Sequence, residues 1–347
     1  DQDIGCYVMT NGAGARAGAR PAGRRAPTDR RAAGCAGAVR SLTSDIVAAR
    51  VCVVGSVNLD LTFNVDALPE RGETVLAHSM SSAPGGKGGN QAVAAARAGA
   101  DVELIAALGD DAAGERLRSH LRDNGVGLDG VTTVAGPSGS AVIVVDSDAE
   151  NTIVVAPGAN AALTIDAEGD GADDSASAGA IIAASDVVLM QLEIPAATAV
   201  AAARRARAAG AVVIVNASPA GAPSAELQTL AGLTDVVVVN ETEARQWRWP
   251  VPHLVVTRGA AGARYQGVAG AFDVPAPEVA AVDSTGAGDV FAGVLAAEWH
   301  TGPQRAVRRA CAAGALATLI PGAGDCAPYS KTIDGAIRGD VERPGDP

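Results

Sequence analysis

The chain is predicted to take a three-layer α/β fold: a mostly parallel central sheet, helices on both of its faces, and a small β lid. Two observations carry this prediction. Short, continuous Val- and Ile-rich runs alternate with Ala-rich stretches of helical length, the pattern of parallel strands buried on both faces. Segments near 60–83 and 138–156 instead resemble hairpins, do not fit that sheet, and mark a separate β element.

Taken in order, Val51–Val54 is a buried strand ending at Gly55. Asn90–Ala98 is a helix and Val102–Ala106 a strand. Gly114–Asn124 is a helix, and Ala141–Val145 with Thr152–Val155 form a hairpin pair. Residues 164–180, acidic and rich in Gly and Ser, read as a solvated loop. Asp186–Met190 is a strand, Ala196–Ala209 a helix, and Val212–Val215, Val236–Val239 and Leu254–Thr257 are strands. Gly288–Trp299 closes the pattern as a helix. Residues 1–48, rich in Ala, Gly and Arg with almost no apolar periodicity, read as a disordered extension. The folded domain is expected over 49–334, with a C-terminal tail over 335–347.

Composition narrows the function classes. The 347 residues are 48% hydrophobic and 19% charged, which excludes a fully disordered chain. No apolar run is long enough to span a bilayer. The net charge of −12 is unevenly spread. Residues 1–50 hold eight Arg against four Asp, leaving −16 for the remainder, the opposite of a nucleic-acid footprint. Neither a nucleic-acid nor a membrane partner is expected. Five cysteines, with no Cys-x-x-Cys pair, fit neither a disulfide framework nor a zinc site and point to a reducing cytoplasm. Of 27 basic residues only Lys87 and Lys331 are lysine, so Lys87, set among glycines, stands out.

Two glycine-rich segments carry chemistry. In Pro84-Gly-Gly-Lys-Gly-Gly-Asn-Gln-Ala-Val93, successive glycines permit close backbone approach to a ligand, and a following helix supplies free N–H donors. No Gly-Lys-Ser/Thr follows, so it is not a Walker A loop. In Asp283-Ser-Thr-Gly-Ala-Gly-Asp-Val-Phe-Ala-Gly293, Gly286–Gly288 lead into a helix with Asp289 in its first turn. Backbone N–H groups there can hold a phosphoryl oxyanion while Asp289 takes a proton from an attacking hydroxyl. Asp289 taken alone could equally just complement the helix dipole.

Together these segments resemble the PfkB carbohydrate kinase family, and within it the ribokinase branch. The match runs from about Val51 to about Ile333. Further segments supporting it are Gly55-Ser-Val-Asn-Leu-Asp60, Leu108-Gly-Asp-Asp-Ala-Ala-Gly114, Glu150-Asn-Thr-Ile153, Gly158-Ala-Asn-Ala-Ala-Leu163, Met190-Gln-Leu-Glu193 and Asn240-Glu-Thr-Glu-Ala244. The resemblance implies a ribokinase-like fold and ATP-dependent phosphorylation of D-ribose at O5. Asp289 would be the general base, with the Gly286-Ala287-Gly288 backbone as anion hole. It implies a sugar site of Asn58, Asp60, Gly86, Lys87, Asn90, Glu150 and Asp289. A nucleotide site is implied at Asn216, Asn240, Glu243, the turn Thr257-Arg258-Gly259-Ala260-Ala261-Gly262, Gly288 and Cys311. Asn240 and Glu243 would help position Mg²⁺, although their spacing also fits a helix capping box. A monovalent cation, K⁺, is implied between Asp283 and Thr285 on one side and Ala317, Ile320, Gly322 and Cys326 on the other. A homodimer formed through the lid is implied as well. Other acceptors, another sugar or a nucleoside, fit the same motifs.

The chain departs from the family after Glu243. Where the family has two helices, only Ala244-Arg-Gln-Trp-Arg-Trp-Pro-Val-Pro-His253 remains, too short for a full crossover helix. A missing helix would leave apolar strand surface near the nucleotide uncovered. Trp247 and Trp249 are the residues available to cover it. A non-catalytic sugar- or nucleotide-binding remnant is the alternative this segment raises.

Overall fold

The computed structural model describes residues 48–148, 150–165, 173–268 and 270–339. The extension expected over 1–48 lies outside these residues except for residue 48. Strand β1 (Arg50–Val54) opens the fold, followed by β2 (Asn58–Asn64), β3 (Ser79–Gly85), α1 (Lys87–Arg97), β4 (Asp101–Gly109), α2 (Ala112–Asp123) and β5 (Gly127–Val134). Then come β6 (Gly139–Val145), β7 (Asn151–Ala156), α3 (Asp173–Ala184), β8 (Val187–Gln191), α4 (Ala196–Ala209), β9 (Val212–Asn216), α5 (Ala225–Leu233) and β10 (Val236–Asn240). The remaining elements are α6 (Glu241–Ala244), β11 (His253–Thr257), β12 (Ala263–Gly267), β13 (Gly270–Val274), α7 (Ala287–Glu298), α8 (Pro303–Ala317) and α9 (Ser330–Arg338).

Nine strands form the large sheet in the order β13-β12-β11-β10-β9-β8-β1-β4-β5. All neighbours from β5 to β11 pair in parallel, and the β11-β12-β13 end is antiparallel. The Val/Ile runs are continuous because successive side chains feed two cores. Val51, Val53, Leu189, Ile214, Val236 and Val238 face α1, α7 and α8. Cys52, Val54, Val188, Val213, Val237 and Val239 face α3, α4 and α5. Alanine and glycine let the helices approach closely. A Cβ on Gly293 of α7 would lie 2.3 Å from the Gln91 carbonyl of α1, so any larger residue would push these helices apart. No helix among the described residues is long and apolar enough to cross a membrane.

The second sheet, ordered β3-β2-β6-β7, is the expected lid. β2 pairs antiparallel with β3 and parallel with β6, and β6 and β7 form the predicted hairpin.

Three expectations need correction. The acidic segment 164–180 is not loop throughout: α3 begins at Asp173, with Ala178 and Ile182 buried one helical turn apart. Burial of that apolar pair against the sheet outweighs the polar composition upstream. The boundary at 334 falls inside α9, which runs to Arg338 and buries Ile333 and Ala336. The first site helix begins at Lys87, not Asn90.

The shortened segment still completes a parallel crossover. β10 and β11 pair from Val236 opposite His253 to Asn240 opposite Thr257. Between them stands only the single turn α6 and an irregular stretch. Trp247 and Trp249 meet edge to face, centroids 5.1 Å apart at 76°, and pack with Val251, Leu254 and Val256 on the α3–α4–α5 side. The indole Nε1 of Trp247 is buried without a partner, a cost accepted for that cover.

Candidate active site

In a parallel sheet all C-terminal strand ends share one edge, where ligands gather. Here that edge collects Ser56 after β1, Gln191 and Glu193 around the end of β8, Asn216, Asn240 and Thr257. The first turns of α1 and α7 meet it. Each brings backbone N–H groups that have no intrahelical partner and the positive end of a helix dipole.

The turn into α1 depends on Gly86. Its φ of 84° is left-handed, and a Cβ there would stand 2.6 Å from the Asn58 nitrogen. Only glycine lets α1 start against the base of β2. The same approach sets Gly85 against the Asp60 carboxylate and Gly88 against Ser56. Asn58 is buried and accepts from Asn160 Nδ2 at 2.8 Å, while Asn160 Oδ1 accepts from the Val57 N–H at 2.9 Å. Burial, with Glu193 and Asp289 adding to it, pushes the Asp60 carboxyl up to about 7.

Asp289 is buried in the first turn of α7, and both carboxylate oxygens are held. Asn90 Nδ2 donates to Oδ2 at 3.1 Å and Gln91 Nε2 to Oδ1 at 2.9 Å. Asp289 first, then Glu193 and Glu243, raise the Lys87 ammonium above its ordinary range against the opposing effect of burial. Glu193 accepts from Ser56 Oγ at 2.6 Å. The Ala287 N–H donates to the Ser284 carbonyl at 3.3 Å, so the anion-hole donors next in line are those of Gly288 and Asp289.

The cleft over this edge is lined by Lys87, Asn216, Asn240, Glu243, Thr257, Gly286, Gly288 and Asp289. Asn240 and Glu243 form the capping box: Glu243 Oε2 accepts from the Asn240 N–H at 2.8 Å, and Asn240 Oδ1 accepts from the Glu243 N–H at 2.8 Å. That bond pair orients Glu243 at the cleft wall, so capping and lining hold together. A neighbouring cavity of about 560 Å³ contains Thr257, Gly259, Ala260, Gly262, Gly288 and Cys311, together with Pro277, Val279 and Phe291. Burial pushes the Cys311 thiol up to about 12, so it lines that cavity as an apolar wall. Its largely apolar lining suits the body of an organic ligand.

Asp283 Oδ1 accepts from the Thr285 N–H and hydroxyl at 2.8 and 2.6 Å, and Oδ2 accepts from the Gly322 N–H at 2.8 Å. Burial opposes ionisation of Asp283, but these bonds prevail and lower its pKa. Cys326 Sγ lies 3.3 Å from the Ala323 carbonyl and 3.9 Å from that of Thr285. The Ala317 carbonyl accepts from the Ile320 N–H at 3.2 Å, and Ile320 is exposed. The two loops expected to flank a cation are thus joined.

Of the expected residues, Asn58 lines a separate cavity with Ser56, Asn160 and Glu193, and Asp60, Gly86 and Asn90 line neither that one nor the two above; Glu150, Arg258 and Ala261 do not line the cleft either. Glu150 is exposed in the β6–β7 turn, where its N–H donates to Asp146. β6 pairs with Asn58 at Gly139 and with Asn151 at Val145, so about 20 Å of strand separates Glu150 from Asn58. Arg258 turns to Asp273 of β13, at 2.6 Å, and Ala261 lines neither cavity. Conversely, Gln91, Gln191, Glu193 and Asn160 belong to the site without having been assigned to it. Their signal was present: an Asn-Gln pair opening a helix, and polar residues ending an apolar strand at Met190-Gln-Leu-Glu193.

A family model described as pfkB family carbohydrate kinase matches residues 48–249 and 250–329, with the break inside the shortened crossover. The ribokinase of Bacillus subtilis is 33% identical over 302 residues, covering 82% of this chain and 98% of that protein. The mouse ribokinase is 30% identical over 314 residues, covering 84% and 95%. The structure of Arabidopsis thaliana ribokinase complexed with ribose and ATP superposes with a TM-score of 0.75 at 29% identity, covering 84% of this chain and 99% of that one. A Burkholderia thailandensis nucleoside kinase in complex with inosine shares the fold, with a TM-score of 0.72 at 23% identity over 84% of this chain and 97% of that one.

Proposed function

We propose that this chain, which belongs to the pfkB family of carbohydrate kinases, transfers the γ-phosphoryl group of ATP to O5 of D-ribose. The observation that carries this reading is Asp289: a buried carboxylate held by two side-chain amides, in the first turn of a glycine-led helix, facing a cleft. Relatives named ribokinase at about 30% identity over most of the chain support the acceptor. Asp289 takes the O5 proton as the O5–Pγ bond forms and the bond from Pγ to the β,γ-bridging oxygen breaks, releasing ADP. The first-turn N–H groups of α7 and the Lys87 ammonium face the charge that builds on the transferring group. Asn58, Asp60 and Asn90 take the sugar hydroxyls, and the cavity beside Cys311 takes the base. Lid closure excludes water. Asn240 and Glu243 would hold the water shell of Mg²⁺, which would supply neutralisation of phosphate charge. K⁺ would sit between the Asp283 and Cys326 loops.

The test is ADP release by purified protein with Mg²⁺, K⁺ and a panel of acceptors including D-ribose, other pentoses, hexoses and nucleosides. Turnover dependent on ribose supports the reading. Turnover only with another acceptor overturns the substrate but not the chemistry. Binding of ribose without turnover on any acceptor overturns the kinase reading.

Asp60 gives a pH prediction. Its carboxyl titrates near 7 when folded but near 3.9 when unfolded. The folded state therefore holds an extra proton between these values, and the stability this provides is lost as pH rises through about 7. Asp60→Asn removes that loss. Its melting temperature should exceed the parent's at pH 8 and approach it at pH 5, while ribose affinity falls. An equal melting difference at both pH values would contradict the assignment.

The lid also predicts assembly. β7 is an edge strand exposed along its length, with Ile153 and Val154 more than half exposed, a liability that pairing with a second copy removes. Ile153→Glu should weaken a lid-mediated homodimer by about tenfold or more in sedimentation velocity. A wild-type monomer at micromolar concentration would rule the dimer out.

A further inference from the structure

Gln91 enters the reading above only as one of the two amides on Asp289, yet it stands at the junction of the sugar and nucleotide sides. It is fully buried in α1, one residue after Asn90. Its Nε2 donates in two directions, to Asp289 Oδ1 at 2.9 Å and to Asn216 Oδ1 at 3.1 Å. Its Oε1 accepts from Gln191 Nε2 at 2.7 Å. Asn216 is fixed in turn, because its Nδ2 donates to the Val238 carbonyl at 3.2 Å. The direction of this chain is not free: reversing the Gln91 amide would set its carbonyl against the Asp289 carboxylate and the Asn216 oxygen. Gln191 Oε1 is left buried without a partner, the cost of turning the Gln191 amide N–H onto Gln91 Oε1.

We propose that Gln91 is the positioning residue of the transfer step: one buried carboxamide that keeps the base Asp289 aimed, and holds Asn216 of the nucleotide side in register with it. The proposal rests on the reading of Asp289 as the base. A hydrogen bond to the charged form favours that form, and two donors on opposite oxygens stop the carboxylate from rotating. Lys87 of α1, Asp60 of β2 and Cys326 of the 317–326 loop also face Asp289 electrostatically. They are common to every variant below, so differences between variants report on Gln91.

The experiment compares wild type, Gln91→Leu, Gln91→Glu and Asp289→Asn, each checked for folding by near-ultraviolet circular dichroism. For Gln91→Leu, kcat should fall about 100-fold, KM for the sugar should change little, and the acid limb of the kcat–pH profile should rise by about one pH unit. ATP affinity, measured by titration without acceptor, should weaken at least threefold through Asn216. Gln91→Glu matches the native shape and is the variant that decides if Gln91→Leu does not fold. Its carboxyl shares a proton with Asp289, so its acid limb should rise further still. Folded Gln91 variants with a wild-type pH profile, kcat and ATP affinity would overturn the proposal. If Asp289→Asn keeps its turnover, the reading of the base fails instead. If no acceptor supports turnover even in wild type, ATP affinity alone decides whether Gln91 holds the nucleotide side.

Discussion

Asp289→Asn should lower kcat by about 10²- to 10⁴-fold, the range that a general base contributes. Sugar and ATP affinities should stay within about threefold, because the interaction removed acts mainly on the moving proton. The substitution keeps size and shape. However, Asn90 Nδ2 and Gln91 Nε2 donate to opposite oxygens, and a carboxamide can accept at only one of them. One donor therefore faces an NH₂ group, and stability should drop by about 1–2 kcal/mol. The competing account, in which Asp289 only complements the dipole of α7, predicts a loss of about 0.3–1 kcal/mol and an unchanged kcat. Turnover measured beside a thermal melt separates the two.

What the sequence could and could not reveal follows from the range of the interactions involved. The strands of the large sheet were legible because residues such as Val236–Val239 are buried on both faces and must be apolar without a break. α4 was legible to its ends because Pro195 precedes it and Gly210 closes it with a left-handed turn. α3 was missed because its apolar signal, led by Ile181 and Ile182, is confined to its last two turns behind an acidic, Gly-rich stretch. At the site, the glycine-led helix starts were legible because close backbone approach leaves few residue choices. The Gln91–Gln191–Asn216 network was not. It joins α1, β8 and β9 over 100 residues or more, and buried amides at strand ends have no local pattern. Glu150 is the reverse case: its motif suggests a sugar ligand, whereas the register of β6 and β7 places it at the far end of the lid.

Replacing both Trp247 and Trp249 with Ala should cost about 3 kcal/mol of stability, a fall of roughly 6–12 °C in melting temperature for a domain of this size, with kcat nearly unchanged. These rings are only half-buried, which limits the loss. They are nonetheless the cover for Leu254 and Val256 where the family has a helix. An edge-to-face pair adds about 0.5–1.5 kcal/mol beyond its buried area, so the double substitution should cost less than the sum of the two single ones. Activity should survive because of which face is affected. The Trp pair lies on the sheet face that α3, α4 and α5 cover, whereas the cavity beside Cys311 and Phe291 lies on the α7–α8 face. The cleft residue next to the shortened segment is Glu243, which precedes it and is held by its own capping box with Asn240. Loss of kcat in proportion to loss of fold would agree with this division. A collapse of kcat in protein that remains folded would mean that packing of the Trp rings sets the position of α6. The shortened crossover would then be part of the catalytic machinery, and the sheet faces would not be functionally separate.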